Sequence, residues 1–150
     1  TNHVHAFSGK GVDHDTWMKI FAHYFNLIIT AEILEFIAWH KLLKPEDEVL
    51  TGHACCLIAT SLHLGTEIFD FKKLIDVLET SMYKFQADIN NIADGNMPKL
   101  SLAGDPIKIV TEQAQKLRQF RDKTFYLLID EYENLLDSQQ QIVNTLLKKL

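Results

Sequence analysis

The sequence predicts an α/β protein: a predominantly α-helical chain with one buried strand, of the kind found in a parallel sheet, at about 124–129. Three observations carry that expectation. Apolar residues recur at helical spacing from about His14 to Leu43. Helix-start signals, an acid or proline ahead of a periodic run, recur at Pro45, Asp70 and Asp105-Pro106. Finally, Phe125-Tyr126-Leu127-Leu128-Ile129 is an unbroken apolar run without alternation, as expected of a strand covered on both faces.

The opening, Thr1–Gly11, places Val4 and Phe7 among polar residues before Gly9 and Gly11, and reads as a strand end running into a loop. Asp13 and Asp15 are N-cap candidates for the first helix. Trp17, Ile20, Tyr24, Leu27, Ala31 and Leu34 keep helical spacing on it, while Phe25, Ile29, Ile33 and Phe36 fill much of the opposite side. A helix apolar on most faces is expected to be buried by neighbours. Pro45 followed by Glu46, Asp47 and Glu48 predicts a second helix to about Leu64, stopped at Gly65. Asp70 opens a third, through Leu74, Leu78, Phe85 and Ile89 to Gly95. Asn96–Gly104 is expected to be irregular or a short strand, and Asp105-Pro106 starts a fourth helix through Ile109, Ala114, Leu117 and Phe120. After the apolar run, Ser138-Gln139-Gln140-Gln141 has the form of a capping box for a last helix, Gln139–Leu150.

Length and composition suit one domain with a real core: 150 residues, 47% hydrophobic. The formal charge is −5, and only Arg118 and Arg121 among fifteen basic residues are arginine. No basic stripe is present to neutralise phosphates along a duplex, which argues against direct nucleic-acid binding by this segment. Adjacent Cys55 and Cys56 are poorly placed to pair with each other, so reduced thiols and a cytoplasmic setting are expected. The first residue is Thr1 and no basic-then-apolar leader is visible, which favours a processed or excised chain. No membrane span is expected, because Glu32 and Glu35 interrupt the most apolar stretch, Tyr24–Trp39.

Asp130-Glu131 follows the apolar run directly. At the carboxyl edge of a parallel sheet, one carboxylate can hold hydrated Mg²⁺ against nucleotide phosphates and the next can take a proton from attacking water. Taken alone, those residues fit equally a strand ending in a solvated acidic turn. The wider stretch from Phe125 to Leu136, with Gln140–Lys148 after it, resembles the Walker B region of bacterial P-loop ATPases of the AAA+/STAND type related to origin-recognition-complex ATPases. Phe21–Leu27 is similar to the helix after the second core strand of that group. The resemblance implies a P-loop NTPase core with a parallel sheet. Within it, about 14–95 would be a helical insertion and about 100–150 the Walker B region. It further implies ATP and Mg²⁺ as cofactors, Asp130 as the magnesium-associated residue and Glu131 as the catalytic, water-activating one.

The chain departs from that family in one respect that matters. A phosphate loop needs G-x-x-x-x-G-K-[ST], and Ser8-Gly9-Lys10-Gly11 lacks both the earlier glycine and the hydroxyl. Arg118 and Arg121 precede the apolar run, the wrong side for a trans-acting finger. The expectation is therefore a piece of an ATPase that is inactive alone and completed by the remainder of the same protein.

Other chemistries fit less well. His53, Cys55, Cys56 and His63 share a predicted helix, yet adjacent cysteines there point about 100° apart and do not converge on zinc. His63-x-x-x-Glu67 has a di-iron spacing interrupted by Gly65, and His3-x-His5 reads as solvent-exposed. His23, among aromatics, reads as a hydrogen-bonded core or interface residue. Neither arginine has a histidine after it, as one nuclease pattern requires, and no serine or cysteine with a partner base stands out. The competing function is a non-catalytic helical interaction or regulatory module. Its partner would be another protein, a second copy of the chain, or a lobe of the same protein.

Overall fold

The computed structural model describes residues 13–91 and 99–125, and these form four α-helices around a shared apolar core. Helix α1 (His14–Leu43) spans 30 residues, about 45 Å at 1.5 Å per residue. The Asp13 carboxylate starts it by accepting the Thr16 backbone N–H at 2.7 Å. Ile20, Leu27, Leu34 and Ile37 are wholly buried along its length. The burial expected on most faces fails toward the end of the helix, where Phe36 is 42%, Trp39 54% and Leu42 81% exposed. By length and composition α1 could cross a membrane, but 61% of its most apolar window is buried inside the protein, as in a core helix.

The second helix starts later than its proline suggests. Residues 45–51 are non-helical, and α2 is Gly52–Ser61. Tertiary contacts take the groups a helix would need. Lys41 Nζ donates to the carbonyls of Pro45 and Asp47, Arg118 Nη2 to that of Glu46 at 2.8 Å, and Gln119 Nε2 to that of Glu48 at 2.7 Å. Thr51 then caps α2, its hydroxyl accepting the Ala54 N–H at 3.1 Å. Gly52 cannot easily be replaced, because a Cβ there would lie 2.9 Å from the Phe69 carbonyl oxygen.

At the other end of α2 the His63 N–H bonds the Thr60 carbonyl and the Leu64 N–H the Ala59 carbonyl, at 3.1 and 2.9 Å. This pair of bonds is a Schellman closure, and it puts His63 at φ 57°, a left-handed position usually held by glycine. Helix α3 (Phe71–Asn90) is capped by Asp70, which accepts the Lys73 N–H at 2.9 Å. It turns Leu74, Leu78, Phe85 and Ile89 inward and ends at Asn90, short of the expected Gly95. Residues 99–104 are irregular; Gly104, at φ 81°, turns the chain into α4 (Asp105–Gln115), with Pro106 in its first turn. A short 3₁₀ turn, Arg118–Phe120, follows.

Helix α1 packs against α3 and α4, and α2 bridges the same two. Val110 and Ala114 of α4 join Leu27, Leu34, Ile58 and Leu78 in one cluster. The α/β expectation is thereby corrected: 70% of the described residues are helical, and none of them forms a strand or sheet. Thr124 and Phe125, where the buried strand was to begin, lie in irregular chain, and residues 126–129 lie outside the described residues. Phe125 shows why its apolar character misleads. Its ring packs 5.9 Å from Phe120 against a helical core, and an apolar run without alternation does not by itself distinguish sheet burial from helix packing.

Candidate functional site

The acidic pair Asp130-Glu131 singled out by the sequence lies outside the described residues. The chain that leads to it is described as far as Phe125, and it is clamped. The Arg118 backbone N–H donates to Glu48 Oε2 at 3.0 Å, and the Gln119 amide both accepts from the Glu48 N–H at 3.3 Å and donates to the Glu48 carbonyl. With the Arg118–Glu46 bond, these tie the 3₁₀ turn to the 45–48 loop, about 70 residues earlier. Arg118 is thus engaged in structure, although it is exposed like Arg121.

Beyond the clamp, α1 and α4 enclose an open groove of about 900 Å³. Ile29, Ile33 and Phe36 line one wall, Ile107 the other, and Phe120 and Phe125 close one end. His40 also faces it, its ring edge-on to Phe120 at 5.2 Å and its Nδ1 paired with the buried Asp47 carboxylate. That pair resembles half of a catalytic triad. Among the described residues no serine or cysteine lines the groove with it, and Thr111 spends its hydroxyl on the carbonyls of Ile107 and Lys108, both at 2.9 Å. Joining the end of α1 to the 45–48 loop is what the His40–Asp47 pair does.

A second polar cluster is buried between α1 and the 101–104 segment. The Ser101 backbone N–H donates to His23 Nδ1 at 2.9 Å, and Ser101 Oγ lies 2.7 Å from the same nitrogen. Asn26 Nδ2 donates to Ser101 Oγ and to the Leu102 carbonyl, both at 3.0 Å, while its Oδ1 accepts the Gly104 N–H at 3.2 Å. Because Nδ1 is an acceptor, the imidazole proton sits on Nε2. Burial, and secondarily the charge of nearby His63, lower the His23 pKa to about 4. The serine beside this base lies 78 residues away in sequence. The two make a poor nucleophilic pair: a backbone N–H occupies the basic nitrogen, the ring resists protonation, and Ser101 is only 6% exposed. His23 is the hydrogen-bonded core residue that its aromatic surroundings suggested, edge-on to Phe85 at 5.0 Å. Its signal was legible; that of Asn26 and Ser101 was not, since neither residue type nor spacing announces such a contact.

No group of three His, Cys, Asp or Glu side chains among the described residues converges on a point that could hold a metal. Cys55 is buried and its thiol is pushed up to about 11 by that burial and by Asp70, while the Cys56 thiol donates to the Thr66 carbonyl at 3.4 Å. The two sulfurs thus have separate surroundings. His3 and His5 lie outside the described residues.

The chain is related to the origin-recognition-complex ATPases, as its resemblance implied. It belongs to the ORC-CDC6-like family, whose model matches residues 1–149. No curated protein and no solved structure matches it.

Proposed function

We propose that this chain is a part of an AAA+/STAND-type ATPase in which Asp130 and Glu131 form the Walker B acids. The observation that carries the reading is the family match running through residues 125–149, the stretch that contains the acidic pair. Hard carboxylate oxygens are the donors magnesium prefers, so the residue types fit the ion. When bound, Mg²⁺ would neutralise charge on the nucleotide phosphates. Asp130 would anchor the ion through its carboxylate. Glu131 would orient a water molecule and accept its proton, which strengthens the oxygen as a nucleophile. The clamp between Arg118–Gln119 and Glu46–Glu48 would hold the approach to the pair against α1, so that the acids start from a fixed frame.

The 150 residues contain no G-x-x-x-x-G-K-[ST]. We infer that the chain needs the remainder of the ATPase to bind and hydrolyse nucleotide. In that assembled ATPase, Glu131→Gln is expected to leave Mg-ATP bound and to slow turnover by at least ~100-fold, the effect of removing a general base. Unchanged turnover would reject the role of Glu131.

A second reading, a non-catalytic helical interaction module, is favoured by one feature of the surface. Phe36, Trp39, Leu42 and Leu43 are all exposed near the end of α1, and Phe36 also lines the open groove. Titration calorimetry of the Glu131→Gln ATPase with Mg-ATP separates the two: binding supports the ATPase, and no heat at millimolar nucleotide supports the module.

A further inference from the structure

We draw no further inference here: the strongest candidate, the apolar groove between α1 and α4 with exposed Phe36 and Trp39 at its edge, carries nothing because nothing among the described residues shows what covers it.

Discussion

Acid should loosen this fold through His23. In the folded chain His23 stays neutral until about pH 4, whereas the unfolded side chain takes up a proton near 6.5. Between those values the unfolded state binds the extra proton, so stability is complete above 6.5 and drains away as pH falls toward 4. A gap of that size corresponds to ~3 kcal/mol in full, most of which is lost by pH ~4.5. The test compares urea unfolding of the wild-type chain and His23→Asn at pH ~7 and ~4.5. Asparagine offers an oxygen close to the position of Nδ1, so the Ser101 N–H keeps an acceptor, but nothing titrates there. The variant is expected to be less stable at neutral pH, because the ring contact with Phe85 is gone. Its loss between the two pH values should be smaller than that of wild type by about 2 kcal/mol. Equal acid losses in both proteins would refute the argument, as would an imidazole NMR titration of His23 near its ordinary value.

Replacing His63 by glycine should stabilise the fold by about 1 kcal/mol, since the left-handed C′ position strains a side chain and suits glycine; a lower melting temperature would show that the imidazole makes a compensating contact. The Thr30 hydroxyl is buried without a hydrogen-bond partner among the described residues. Thr30→Val should therefore raise stability by ~1 kcal/mol in chemical denaturation, and a loss would mean that the hydroxyl is satisfied after all.

Local signals on the chain were sufficient for three of the four described helix starts. Asp13, Asp70 and Asp105-Pro106 each mark a helix that begins within a residue of where the sequence places it. Pro45 failed as a start signal because its loop answers to Lys41 at the end of α1 and to residues about 70 positions away. Arg118 and Gln119 occupy the loop carbonyls, and no local propensity reports that. The same distinction governs the candidate sites. The acidic pair at 130 and 131 was visible as a run of residue types, and the family match covers it. The serine beside His23 was invisible, because 78 residues of chain separate the two.

By itself, the sequence determined the helical periodicities, the Asp13 and Asp70 caps and the kinship with the origin-recognition-complex ATPases. Only the tertiary structure decided that the described core is helix packed on helix, that Phe125 packs against that core, and that His23 is held neutral. The physical reason is range. A cap or a period is fixed within one or two turns of chain, whereas burial depends on which distant surfaces meet. An apolar run such as 125–129 is equally content against a sheet or a helix, and it is the neighbours that choose.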